Sequence, residues 1–237
     1  MAKVVKRDTS TVENIWLEFV DMLKEILGIF KETWPVFQDN LGVTLSIPAI
    51  LCIVPTALIA VPTGIIGFGV AVWAGGARMP VMPCLIGVGT VGVLCFAVVY
   101  NSIRVGWTTA LLALASNQEA SFGNIKEGMP WFVNFLLVNL IIGIATVIGG
   151  YCFIVPGIFV AVRTSFAPFL VVDENLGPIQ ALIKSNERVT GYSWQILIYH
   201  CLYWLVGMVV GMIPIIGSIA VMGFFDLALA RIYLLKK

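Results

Sequence analysis

IVPGIFVAVRTSFAPFLVVDENLGPIQALIKSNERVTG, residues 154–191, is the stretch whose reading decides the fold. It begins as an apolar run long enough to enter a bilayer, and a single arginine, Arg163, stands in the middle of that run. The run closes at an acidic corner, Asp173-Glu174-Asn175, and Leu176–Thr190 then reads as a short amphipathic helix. Pro178 suits its first turn and Gly191 its stop. Ile179, Leu182, Ile183 and Val189 share one face at helical spacing. A membrane span followed by a helix lying at the surface where that span ends is the plainest account of this order.

The rest of the chain agrees. Of 237 residues, 59% are hydrophobic and 11% charged, with a mean hydropathy of +0.99. A soluble domain carries roughly 25% charged residues, and a soluble chain of this size needs more polar cover than these residues supply. The formal net charge of +1 gives no support to nucleic-acid binding. Met1–Asp8 is polar and basic and leads into an amphipathic stretch, so a cleaved signal peptide is not expected.

Long apolar stretches lie at Val43–Ala74, Val81–Ala115, Trp131–Ile148, Cys152–Val172, Trp194–Ile213 and Ile215–Leu235. A helix needs about 20 such residues to cross the hydrocarbon core. The chain therefore reads as an all-α, polytopic integral membrane helical bundle of six transmembrane helices, with two interfacial amphipathic helices. The first two stretches exceed that need and are expected to tilt, kink at Pro55 and Pro62, or include a re-entrant piece. Only Pro214 separates the last two, which calls for a tight hairpin. Residues 1–40 form an N-terminal segment, and residues 41–237 the membrane domain with its interfacial helix at 176–190.

Lysine and arginine orient the bundle. Lys3, Lys6, Arg7, Lys24, Lys31, Lys126, Lys184, Arg188, Lys236 and Lys237 fall on one side, and only Arg78 on the other. Both termini are expected in the cytoplasm of a prokaryotic inner membrane. The first interfacial helix is expected over Thr11–Thr33, with Ser10 and Glu13 as a capping box and Trp34-Pro35 as its stop. Its polar face is net acidic, which does not suit a helix gripping anionic lipid. It is expected to lie on the membrane by apolar burial, to dock on the bundle, or to bind a partner.

The block Ile154–Gly191 also resembles a signature of prokaryotic membrane proteins. A Val155-Pro156-Gly157-Ile158 turn opens a span, Val171-Val172-Asp173-Glu174 closes it, and Ala181 and Ser185 match an A-x-x-x-S amphipathic helix. The pattern is similar to the membrane domain attached to some glycerophosphodiester phosphodiesterases and to the YciC-like inner-membrane proteins. It covers Met129 to Lys237. The resemblance implies the fold and a pair of further spans. It does not carry phosphodiesterase activity, because the soluble domain with its metal site is absent.

Other motifs read as structure. Gly87-Val88-Gly89-Thr90-Val91-Gly92 matches G-x-G-x-x-G, but it lies inside an apolar run without the acidic residue the dinucleotide reading requires. Close helix packing explains it better, and Gly207-xxx-Gly211 has the same sense. Cys52, Cys84, Cys95, Cys152 and Cys201 show no C-x-x-C spacing. Cys84 and Cys152 lie near one face and leave a disulfide open. His200, next to Cys201, reads as a buried, hydrogen-bonded histidine rather than a metal ligand.

The intramembrane charges are the candidate site. Counted at about 1.5 Å per residue, Arg104 lies about 18 Å before Ser116, Arg163 about 15 Å before Asp173 and Asp226 about 16 Å before Lys237. An unpaired charge at the bilayer centre costs at least about 2.5–3.5 kcal/mol. Asp226 is thus expected to pair with Arg163 or Arg104, with Asn101, Ser102, Asn134 and Asn139 as supporting polar residues. Arg231, five residues beyond Asp226 and off its face, is expected to reach water with Lys236 and Lys237. The pair would either fix helix register or leave a surplus arginine for an anion. No nucleophile, metal set or acid–base pair is visible, so no cofactor or catalytic step is expected. The expected function is that of a non-enzymatic inner-membrane protein in membrane or envelope homeostasis, or a subunit of a membrane assembly. Its partners would be membrane lipids and a second copy or another membrane subunit. The alternative is a small transporter or channel for an anionic solute or lipid, working through Arg104, Arg163 and Asp226.

Overall fold

The computed structural model describes residues 9–76, 81–121, 123–152, 154–210, 212–213 and 216–237, and every regular element among them is helical. Several sequence expectations fall outside the described residues or side chains: the Ser10–Glu13 capping box, Lys3, Lys6, Arg7, Arg78, Gly211, Pro214 and the Cys84–Cys152 pair.

The helices are α1 (Thr9–Asp39), α2 (Leu41–Pro55), α3 (Val61–Gly76), α4 (Val81–Ala115), α5 (Gly123–Glu127), α6 (Phe132–Cys152), α7 (Ile154–Arg163), α8 (Ala167–Asp173), α9 (Pro178–Val189), α10 (Ser193–Val210) and α11 (Ile216–Leu235). Six spans are long and apolar enough to cross a membrane: Leu41–Trp73, Leu85–Ala115, Met129–Tyr151, Val155–Asp173, Ser193–Val210 and Gly217–Leu235. The protein is a multi-pass helical membrane bundle.

The first span is continuous through Pro55 and Pro62 by a π-helical segment, Thr56–Ala60, between α2 and α3. A proline donates no backbone hydrogen bond and crowds the carbonyl four residues back, and a π-bulge is one way to absorb that. Thr56 Oγ1 donates to the Cys52 carbonyl at 2.6 Å within the disturbed turn.

Burial is uneven along the bundle. Half of the sixth span's most apolar window and 44% of the fourth's is buried, against 12% or less in the others, so these two are the inner spans. The core gathers around the C-terminal halves of α4 and α11, where Trp107, Leu111, Phe135, Phe166, Leu227 and Tyr233 are almost wholly buried. The N-terminal half of α4 and all of α3 form a hairpin arm. Among the described residues α3 packs extensively only on α4 and its own π segment. Ile65, Phe68, Val72, Ile86, Val91 and Leu94 on this arm are exposed. In water that surface would be untenable, and in lipid it is solvated.

Helix α1 corrects the expected stop at Trp34-Pro35, because it runs through Pro35 to Asp39. The proline removes one donor only, and carrying the helix onward seats Phe37 against Phe224, ring centroids 5.6 Å apart. Phe30 packs on Tyr199 and Phe225 in the same cluster. Glu25 accepts from Gln195 at 2.8 Å and from Lys236 at 2.9 Å. The helix therefore docks on α10 and α11. The turn comes at Asn40, whose side-chain amide donates to the Val36 carbonyl at 3.0 Å.

In the G-x-G-x-x-G stretch, a Cβ at Gly92 would lie 2.5 Å from the Thr63 side chain, so the glycine is where α4 meets α3. Gly207 corrects the packing expectation, since a Cβ there would meet nothing within 4 Å. His200 is half-buried, with Nδ1 2.8 Å from the Ile196 carbonyl. Cys52, Cys95 and Cys201 are free and exposed.

Candidate functional site: two arginines in the spans

Arg104 sits on α4 and Asp226 on α11, far apart in sequence. Their side chains meet in a two-pronged ion pair, Nη1–Oδ2 2.7 Å and Nη2–Oδ1 3.3 Å. Trp107 Nε1 donates to Asp226 Oδ2 at 2.8 Å. Asp226 thus accepts three hydrogen bonds from α4. Arg104 and Trp107 are three residues apart on one helix, which places them on one face. That spacing was the readable signal for Trp107, which the charge count passed over. Both charged side chains are mostly buried, 27% exposed for Arg104 and 15% for Asp226. A bidentate guanidinium–carboxylate pair is the strongest geometry available to two such groups. The pair locks α4 to α11.

Arg163 is not part of this set. The expected continuous fourth span breaks directly after it: α7 ends at Arg163, Thr164–Phe166 form a turn, and α8 begins at Ala167 with Pro168 in its first turn. The break frees backbone groups that apolar surroundings cannot satisfy. Ser185, fully buried on α9, repairs it from a distance. Its hydroxyl donates to the Arg163 carbonyl at 2.9 Å and accepts from the Phe166 N–H at 3.2 Å. This is what the serine of the A-x-x-x-S pattern does. The buried face of α9 is Ala181, Ser185 and Val189, while Ile179 and Ile183 point outward. That corrects the expected apolar face, because only small side chains let α9 approach the broken span closely.

The Arg163 guanidinium turns to the end of α9. Nη1 donates to Thr190 Oγ1 at 2.6 Å, to Asn186 Oδ1 at 3.2 Å and, at a long 3.5 Å, to the Asn186 carbonyl. The group lies over the Phe159 ring, 4.9 Å from its centroid. A cation at a helix C-terminus offsets the partial negative charge of its last carbonyls. None of the ion pairs among the described residues includes Arg163. Its Nε is buried without an acceptor.

The supporting polar residues do not converge. Asn101, Ser102 and Asn139 each bond the carbonyl four residues back in their own helices, at 2.8, 2.8 and 3.0 Å, and Asn134 joins neither arginine. Arg231 reaches the bundle end, where it donates to Asn117 Oδ1 at 3.2 Å in an exposed contact.

At that same end the acidic corner is engaged. Asp173 accepts from Tyr233 at 2.6 Å and Lys237 at 2.7 Å. Glu174 takes Lys184 and Arg188, one on each oxygen; these bases stand four residues apart on one side of α9. Burial pushes the Glu174 carboxyl up, but the Lys184 hydrogen bond and the charges of Arg188 and Lys184 outweigh it and hold it below its ordinary value. Asn175 takes a left-handed conformation, φ 53°, and accepts from Trp131 Nε1 at 3.0 Å. Gly191, φ 97°, makes a further left-handed turn, out of α9.

Among the described residues no three His, Cys, Asp or Glu side chains converge to hold a metal ion. Comparisons with family models, with curated proteins and with solved structures find no match.

Proposed function

We propose that this is a non-enzymatic multi-pass protein of a prokaryotic inner membrane that serves membrane or envelope homeostasis as a subunit of a membrane assembly. The observation that carries the reading is the α3–α4 arm. Helix α3 and the N-terminal half of α4 stand out from the core, and among the described residues α3 packs extensively only on α4 and its own π segment, which leaves a broad face for a second membrane-embedded surface. The bundle behind the arm is closed around the Arg104–Asp226 pair. A transport route through Arg104, Arg163 and Asp226 needs the three in one chamber, whereas Arg163 bonds to α9 instead.

The distribution of Lys and Arg supports both termini lying in the cytoplasm. The gathering of Glu174, Lys184, Arg188, Asp173 and Lys237 at one end agrees with an aqueous side there. The resemblance of Met129–Lys237 to YciC-like inner-membrane proteins supports the same placement.

Cys95 is free, exposed and on the arm. With the other four cysteines replaced by serine, a bismaleimide applied to intact membranes is expected to yield a covalent product larger than the 25.8 kDa chain. A chain that stays monomeric under cross-linking, together with uptake of an anion into proteoliposomes, would refute the assembly reading in favour of transport.

A further inference from the structure

Arg163 lines an open groove of about 580 Å³ whose other walls include Val155, Ile158, Phe159, Trp194 and Leu197. A second apolar groove, of about 480 Å³, shares Ile158, Val162 and Leu197 with it and continues between α7 and α10 to Gly150, Cys201 and Trp204. The two form one track. Along α10, from Ser193 to Trp204, it is about 16 Å long. Its walls are hydrocarbon over nearly all of that length, and its one charged side chain stands at one end.

That end is electrically open. The guanidinium carries five donors. Nη1 is used on Asn186 and Thr190, while Nε and Nη2 donate to nothing among the described residues. Among the described residues no carboxylate lies within ion-pairing distance, unlike at Arg104. Nε is buried and out of reach, so the guanidinium offers a phosphate oxygen its Nη2 donors. The polar end offers a cation and hydrogen-bond donors, and the rest offers an acyl chain's surroundings. Exposed Val155, Ile158, Phe159 and Trp194 place the track on the lipid-facing surface, where an amphiphile can enter sideways from the bilayer.

We infer that this track binds one anionic phospholipid, a phosphate oxygen on Nη2 of Arg163 and one acyl chain laid between α7 and α10. The site couples the lipid to the broken span. Arg163 is the last residue of α7, and its carbonyl and guanidinium are both tied to α9, through Ser185 and through Asn186 and Thr190. A phosphate there completes the coordination of the residue that joins α7 to α9. The inference stands apart from the assembly reading, since its walls come from α6, α7 and α10 and not from the α3–α4 arm.

The test is native mass spectrometry of the full-length protein in detergent, titrated with phosphatidylglycerol and with phosphatidylcholine of identical acyl chains. One phosphatidylglycerol per chain is expected to be retained, preferred about tenfold or more over phosphatidylcholine. Arg163→Gln abolishes the preference and Arg163→Lys keeps part of it. Ile158→Trp narrows the track without touching the guanidinium and weakens both lipids. Excess inorganic phosphate does not displace the bound lipid. Equal retention of the two lipids overturns the proposal, as does a preference that survives Arg163→Gln. Displacement by phosphate overturns it in favour of a small-anion site. Should Arg163→Gln lose its helical circular dichroism, Ile158→Trp decides: phosphatidylglycerol bound as tightly as before sinks the lipid track.

Discussion

Replacing Asp226 by alanine removes the carboxylate that Arg104 and Trp107 share. Arg104 loses both prongs, 2.7 and 3.3 Å, and Trp107, wholly buried, loses its 2.8 Å acceptor. Both charged side chains are less than one-third exposed, so water does little to compensate. Breaking a buried pair from one side costs about 3–5 kcal/mol. An orphaned indole N–H accounts for about 1–3 kcal/mol within that range. A shift of about 4 kcal/mol moves an unfolding equilibrium by roughly a thousandfold. Asp226→Asn keeps an oxygen for Trp107 and is expected to recover about 1 kcal/mol of the loss. The decisive variant is the double change Arg104→Met with Asp226→Leu. It removes both charges together and is expected to fall within about 2 kcal/mol of the natural chain, since apolar replacement of a whole pair is often neutral. Reversible unfolding in mixed micelles, followed by far-ultraviolet circular dichroism, reads all four proteins. An Asp226→Ala chain within about 1 kcal/mol of the natural one would refute the view that this pair holds α4 to α11. A double variant as unstable as the single would show that the partners matter separately rather than as a pair.

Two smaller perturbations test the broken span and the corner. Ser185→Ala leaves the Arg163 carbonyl and the Phe166 N–H without their side-chain partner in a buried turn; the expected loss is about 1–3 kcal/mol in the same unfolding assay, and a change under about 0.5 kcal/mol would mean the turn repairs itself. Glu174 has its carboxyl held below the ordinary value by Lys184 and Arg188, so its contribution is present in full above the unfolded pKa and is lost as pH falls through the lower folded one. The natural chain is therefore expected to lose more stability between neutral pH and about pH 3 than Glu174→Gln does, and equal losses in the two proteins would contradict this assignment.

The fold was legible because span length and hydropathy are local properties. All six apolar stretches returned as spans with ends shifted by a few residues. That Asp226 would meet an arginine at its own depth was legible because depth counted along a continuous helix is reliable on α4 and α11, while the choice between Arg104 and Arg163 was not. The same count failed for Arg163, since it assumed a helix that runs unbroken to Asp173. Pro168 hinted at the break, but the group that makes it tolerable, the Ser185 hydroxyl, lies 19 residues beyond Phe166 on another helix. The stop expected at Trp34-Pro35 failed for a related reason. A local breaker signal gave way to the gain from seating Phe37 in the cluster formed by Phe30, Trp34 and Phe224. Ser185 and Phe37 act through partners distant in the chain, and single-sequence reading has no access to those.

The two arginines answer one energetic demand in opposite ways, and the contrast locates the reactive part of the molecule. A guanidinium in a span must find acceptors or water. Arg104 finds a carboxylate that returns both its charge and its geometry, and a tryptophan donates a third hydrogen bond to the same carboxylate. Arg163 finds only neutral acceptors, an amide oxygen, a hydroxyl and a carbonyl. Among the described residues its charge is offset only by the end of a helix, about half a unit. It also stands at a helix break that a second element must hold together. Charge left open, beside an apolar track on the lipid side, favours an anion that brings its own hydrocarbon. The closed pair sets the register of the inner helices, and the open arginine is where the surrounding membrane can act on the fold.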